Sequence, residues 1–258
     1  MTQPLNGLNV LLTRASHQIE AAAIKLRDLG ANVIHIPVIE ISPPESWHTF
    51  DECVLRMADY DWVIFVSANA VDAFFGRLKV TGKDKITLPK FATIGPKTTE
   101  ELQKYGHTPV YQAQEFVAES FIRQFPVQKG QEVLWPKANI GRMLIAEELI
   151  KQGVTVDAVH VYRTTLPRHA EDLGNELKLL LIENGIDVVT FASSQTVKNF
   201  RLLLDMVALP TSCLQNIKIL AIGPETARTA SEVLGKCDMQ ATEYTVDGMI
   251  EALLSLKS

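Results

Sequence analysis

Two pairs of short polar turns carry the chemistry available to this chain. Ser67-Ala68-Asn69 matches Ser193-Ser194-Gln195, and Gly95-Pro96-Lys97-Thr98 matches Gly223-Pro224-Glu225-Thr226. Each turn follows a short apolar run and precedes a helical pattern, so its hydroxyls, amides and backbone N–H groups gather at a helix start. Such a terminus carries roughly half a positive charge and unsatisfied donors, which suits an anion. Glycine there lets a ligand approach the backbone closely. Thr13-Arg14, Lys137 and Arg228 add a hydroxyl and full positive charges near the same edge. The same residue types also serve as ordinary N-caps contributing about 1 kcal/mol each, and Gly-Pro is a common entry to a helix. Both copies keep the turns while the helices between them drift, and that favours a ligand.

Other chemistries are poorly provided for. There is no GxGxxG dinucleotide fingerprint and no GxSxG nucleophile elbow. Residues Gly76 to Lys83 resemble a phosphate loop, but the glycines stand one residue too far apart and Asp84 occupies the Ser/Thr position. The six histidines (17, 35, 48, 107, 160 and 169) form no HxH or HExxH pattern, and Cys53, Cys213 and Cys237 share no CxxC spacing. Neither a metal site nor a disulfide framework is therefore expected. A composition of 47% hydrophobic and 21% charged residues is that of a soluble globular chain. The net charge of −5 comes with no basic stripe, which argues against a nucleic-acid partner. No basic-then-apolar leader opens the chain, and no apolar run approaches the roughly 20 residues that span a bilayer. The expectation is a cytoplasmic, reduced protein with no membrane partner.

The elements that must position the turns are written twice. Gly7 to Arg14 pairs with Gly130 to Lys137 at an offset of 123, and Phe65 to Val71 pairs with Phe191 to Val197 at 126. Ile94 to Thr98 and Gln112 to Phe116 find partners 128 residues on, at Ile222 to Thr226 and Gln240 to Tyr244. A chain of 258 residues suits two domains of similar size. Apolar runs predict strands over 9–12, 33–36, 62–66, 91–94, 132–135, 154–161, 187–191 and 218–222. Helical spacing predicts helices over 19–29, 143–151, 118–125 and 247–254 and after each Gly-Pro, with Gly30, Gly106, Gly153 and Gly235 as stops. Alternating strands and helices argue for doubly wound α/β domains with parallel sheets. In such sheets ligands bind beyond the carboxyl ends of the strands, where these turns fall. Two similar domains with matching loops would make a cleft. Proline-containing breaks at 42–46 and 164–169 are linker candidates.

With these blocks in place the chain resembles the uroporphyrinogen-III synthase family. The residues that carry the likeness are Leu11 to Arg14, Phe65 to Val71, Val161-Tyr162-Arg163-Thr164, Phe191 to Phe200, Ala221 to Ala227 and Ala241 to Gly248. Each motif is loose, but the ordered set spans nearly the whole chain. The resemblance implies two flavodoxin-like doubly wound parallel-sheet domains joined by a two-stranded linker. One would be discontinuous, residues 1–37 with 167–258, and would enclose a second at 43–160, with 38–42 and 161–166 as linkers. It implies closure of hydroxymethylbilane to uroporphyrinogen III with inversion of ring D and loss of water. No cofactor is implied, and the substrate would come from the upstream hydroxymethylbilane synthase. Tyr162 matches the family's interdomain tyrosine, whose phenol would assist or orient the departing hydroxyl. Thr98 and Thr226 match cleft positions. Thr13, Arg14, Ser67, Ala68, Asn69, Gly95, Lys137, Ser193, Ser194, Gln195, Gly223 and Arg228 become candidate contacts to substrate carboxylates, and Glu225 is expected to point away. Two rival readings stand beside this one: a non-enzymatic two-domain binder of a small anion, and a cofactor-free isomerase or lyase acting on another anionic metabolite.

Overall fold

The computed structural model describes residues 3–15, 19–115 and 118–257. His17 and Phe116, which entered the motif reading, lie outside them. The chain opens with β1 (Asn9–Leu12), α1 (Glu20–Asp28) and β2 (Asn32–His35). There follow β3 (Glu40–Ser42), α2 (His48–Leu55), β4 (Trp62–Phe65), α3 (Ala68–Val80), β5 (Lys90–Thr93), α4 (Pro96–Lys104), β6 (Tyr111–Gln112) and α5 (Ala118–Gln124). The strand–helix–strand opening then recurs as β7 (Glu132–Ala138), α6 (Leu144–Lys151) and β8 (Thr155–Thr165). Last come α7 (Ala170–Ile182), β9 (Val188–Phe191), α8 (Ser194–Met206), β10 (Lys218–Ala221), α9 (Pro224–Leu234), β11 (Met239–Gln240) and α10 (Val246–Leu254).

The chain divides into two compact units, Met1–Glu40 with Thr165–Ser258, and Ile41–Thr164. The first holds a five-stranded sheet in the order β11-β10-β9-β1-β2, and the second a six-stranded sheet in the order β3-β8-β7-β4-β5-β6. The pairings along β2-β1-β9-β10-β11 and along β8-β7-β4-β5-β6 are parallel. All four residues of β4 and of β9 are buried, because parallel strands take helices on both faces and so read as unbroken apolar runs.

Each sheet buries two apolar layers. In the first unit one layer gathers Leu11, Phe191, Phe200 and Leu203, and the other Val10, Leu26, Leu220 and Leu253. In the second unit Phe50, Phe65, Phe74 and Val161 form one layer, and Trp62, Phe121, Trp135 and Leu149 the other. Among the described residues no layer mixes buried side chains from the two units.

The duplication is exchanged between the units. The sequence repeat equates β1 with β7 and β4 with β9, yet β1 pairs β9 and β7 pairs β4. Each unit thus completes the opening strand–helix–strand of one copy with the three-strand remainder of the other. Numbered from that opening, both units share the strand order 2-1-3-4-5, to which the second unit adds β3 as a sixth strand beside β8.

Several features depart from the sequence-based expectation, the short edge strands β3, β6 and β11 among them. β8 runs to Thr165 rather than stopping near Val161, and its pairing with β7 skips a residue, Lys137 facing His160 but Ala138 facing Tyr162. Helices α2 and α7 fill stretches for which the spacing predicted nothing. The glycine stops are present: Gly235, at φ 86°, closes α9 in the left-handed region that a Cβ disfavours.

Candidate active site

The two kinds of repeated turn differ in how they finish their helices. Ser67 and Ser193 are N-caps: Ala70 N–H donates to Ser67 Oγ over 3.2 Å, and Ser193 forms a reciprocal capping box with Thr196. Gly95 and Gly223, by contrast, open α4 and α9 with Pro at the first position and no side-chain cap. Of the repeated turns, those opening α4 and α9 therefore leave the first helical N–H groups without a side-chain cap, with Gly95 half-buried and Gly223 buried. Their threonines, Thr98 and Thr226, turn inward and are buried. Glu225 is exposed. A Cβ on Gly95 would meet nothing within 4 Å, whereas one on Gly223 would come 3.2 Å from the Tyr244 ring.

Several first-unit candidates hold one another. Thr13 Oγ1 donates to Thr190 O over 2.7 Å while Thr190 Oγ1 returns a bond to Leu11 O over 3.1 Å, tying the ends of β1 and β9. Ser194 Oγ donates to Glu225 O at 3.2 Å, so the starts of α8 and α9 are linked. Gln195 Nε2 reaches Asn199 Oδ1 at 2.7 Å. Arg228 is exposed and lies 3.9 Å from Glu232, a surface pair of little energetic weight. Arg14 lines a small, largely apolar cavity of about 30 Å³ with Leu12, Leu26 and Met249, and burial pulls its guanidinium below the usual value.

The second unit brings the sharper constellation. The Tyr162 hydroxyl lies 3.0 Å from Ser67 Oγ, and Asn69 hydrogen-bonds to the same phenol. Tyr162 is only 9% exposed, and burial pushes its phenol above the ordinary value against the opposing pull of Ser67 and Asn69. Ala68, between them, begins α3. On the neighbouring strand Lys137 is 5% exposed, its ammonium donating to Ala138 O at 2.8 Å and Ile140 O at 3.3 Å and lying 5.6 Å over the Trp135 ring. Burial lowers its pKa, and no carboxylate pairs with it among the described residues.

The second unit also holds features that sequence reasoning did not find. A cavity of about 450 Å³ in the second unit is lined by Ser46, Thr49, Asn139, His160 and Arg163. Arg163 is anchored to Pro43 O and Glu45, and Asn139 Oδ1 accepts Thr164 N–H at 2.9 Å. His160 is held below its usual value by burial and then by the charge of Lys137. Among the described residues no cluster of His, Cys, Asp or Glu has the make-up of a metal site, and no helix is long and apolar enough to cross a membrane.

Residues 20–251 match the family model of uroporphyrinogen-III synthase HemD. The uroporphyrinogen-III synthase of Synechococcus elongatus is 37% identical, over 97% of this chain and 96% of that one. That of Chlorobaculum parvum is 26% identical, over 89% of this chain and 91% of that one. Among solved structures, a mutant uroporphyrinogen III synthase from Thermus thermophilus aligns with a TM-score of 0.66 at 18% identity, covering 98% of this chain and 100% of that one. The Helicobacter pylori synthetase aligns at 0.65 and 17% identity, covering 96% and 99%. These two structures share the α/β fold.

Proposed function

The chain belongs to the uroporphyrinogen-III synthase family, and on that premise we propose that it closes linear hydroxymethylbilane to uroporphyrinogen III, inverting ring D and releasing water. The observation that carries this is the 37% identity to a synthase over nearly the full length of both chains. The enzyme is a lyase of tetrapyrrole biosynthesis. We place it in the cytoplasm, receiving its substrate from the synthase that makes it. The shared 2-1-3-4-5 strand order supports reading each unit as a flavodoxin-like domain.

The substrate carries an acetate and a propionate on every pyrrole, so the enzyme must hold many carboxylates in one folded arrangement. The uncapped starts of α4 and α9 at Gly95 and Gly223 provide backbone donors for them. Lys137 supplies a desolvated charge, with Arg14 at the matching position of the other copy. A net charge of −5 gives no global attraction, so local donors do the holding. Positioning then accounts for much of the catalysis. The remaining step is departure of the hydroxyl: the C–O bond breaks with its electron pair on oxygen, which takes a proton and leaves as water, while the pyrrole nitrogen stabilises the carbon left behind. Tyr162 is the proposed donor to that oxygen, since its phenol stays protonated well into the alkaline range.

Bilane consumption at a tenth of an equivalent of protein tests the reading. Many rapid turnovers are expected of the enzyme. One equivalent bound and protected, with no acceleration of closure, is the outcome expected of a binder and would overturn it.

A further inference from the structure

We propose that Ser67 is a positioning residue for Tyr162, donating its hydroxyl hydrogen to the phenol oxygen so that the phenol's own O–H is left for the substrate. The inference rests on Tyr162 assisting hydroxyl loss.

Three observations carry it. The first is the register of β8. Side chains alternate along a strand, so Val159 and Val161 share a face and Tyr162 belongs on the other. Yet Val159, Val161 and Tyr162 are all buried in one layer with Phe65, Val71 and Phe74. The residue skipped between the Lys137–His160 and Ala138–Tyr162 pairs resets the alternation. A bulge of this kind re-aims the next side chain, and here it turns the tyrosine onto the α3 side of the sheet. Asn139 N–H then donates to Tyr162 O at 3.1 Å, fixing the backbone just beyond the bulge.

The second is the geometry of the hydrogen bonds. Ser67 Oγ accepts from Ala70 N–H, so α3's own amide fills one of its lone pairs. The Tyr162 oxygen stands 3.0 Å away, within reach of the Ser67 hydrogen. With Ser67 as the donor, the chain runs from the positive end of α3 through Ser67 to the phenol. The third is the difference between copies. Ser193 caps α8 just as Ser67 caps α3, but the position matching Tyr162 is Ile39, so the cap in the first unit has no phenol to serve.

Ser67→Thr keeps the cap and the donor, Ser67→Asp keeps the cap but has only lone pairs to offer, and Ser67→Ala loses both. We expect the threonine variant to retain wild-type kcat within about threefold, and the aspartate and alanine variants to lose about tenfold in kcat with little change in KM. Combined with Tyr162→Phe, Ser67→Ala should cost nothing further, because the two residues act as one. In ligand-free protein carrying ¹³C-labelled tyrosine, the Tyr162 titration should move to higher pH in Ser67→Ala. An aspartate variant as active as wild type, losses that multiply in the double variant, or an unmoved titration would each overturn the proposal. Wild-type turnover in Tyr162→Phe alone would instead remove the tyrosine itself from the mechanism, and with it the premise.

Discussion

Tyr162 and Gly95 pose opposite questions at the scale of single residues. Tyr162 is buried, and every contact it makes could be structural. Tyr162→Phe preserves the ring packing and removes only the hydroxyl, so a fall in kcat of about tenfold or more would report chemistry, and activity near wild type would report packing. Because burial raises the phenol above its ordinary value of 10.0, the acid form persists as pH rises. The alkaline loss of kcat that depends on Tyr162 should begin above pH 10, and a limb below pH 9 would point to another group. Gly95, by contrast, has extended backbone with a φ of −126°, which any residue adopts, and open space where a Cβ would stand. Nothing in the fold requires glycine there. Gly95→Leu is expected to leave the melting temperature within a few degrees and to raise KM severalfold, because the side chain would stand over the N-terminus of α4. Unchanged kinetics would remove this helix end from substrate binding. Thr13 and Ser194 are poorer probes, since their hydroxyls already join strands and helices to one another.

At the scale of elements, glycine is a conformational requirement at Gly235. Its φ of 86° closes α9, and a Cβ there would meet no atom within 4 Å. Gly235→Ala should therefore cost about 1 kcal/mol from backbone strain alone, read as a lowered urea midpoint with an unchanged m-value. A loss of several kcal/mol would mean a packing role that the structure does not contain. Stops of this kind were legible in the sequence because they are local: an apolar run, a glycine, another apolar run. So were the repeated turns, where Ser67 and Ser193 each follow a strand and precede a helix. The proximity of Ser67 and Tyr162 was not legible. They lie 95 positions apart, and the bulge that joins them leaves no mark in the pattern, since Val159-His160-Val161 reads as ordinary alternation. Helix α2 was missed because its eight residues mix His48, Asp51 and Glu52 with a short apolar face. Helix α7 was hidden behind the proline break that precedes it.

For the whole molecule, the repeat gave two domains of similar size, and the strand pairings show that these exchange halves between the copies. Of the two units, only Ile41–Thr164 is continuous in sequence, and it contains both apolar layers of its own sheet. Residues 41–164 expressed alone should therefore unfold in one cooperative transition in urea; a chain without one would show that this unit depends on the rest. The identity of the product is decisive. Hydroxymethylbilane closes unaided to uroporphyrinogen I, and only a protein that holds ring D through its inversion yields isomer III. With bilane supplied by its synthase, the products oxidised and the isomers resolved by chromatography, isomer III is expected to dominate, its share rising with the amount of this protein. Isomer I as the main product, unchanged by adding more of the protein, would contradict the proposed reaction.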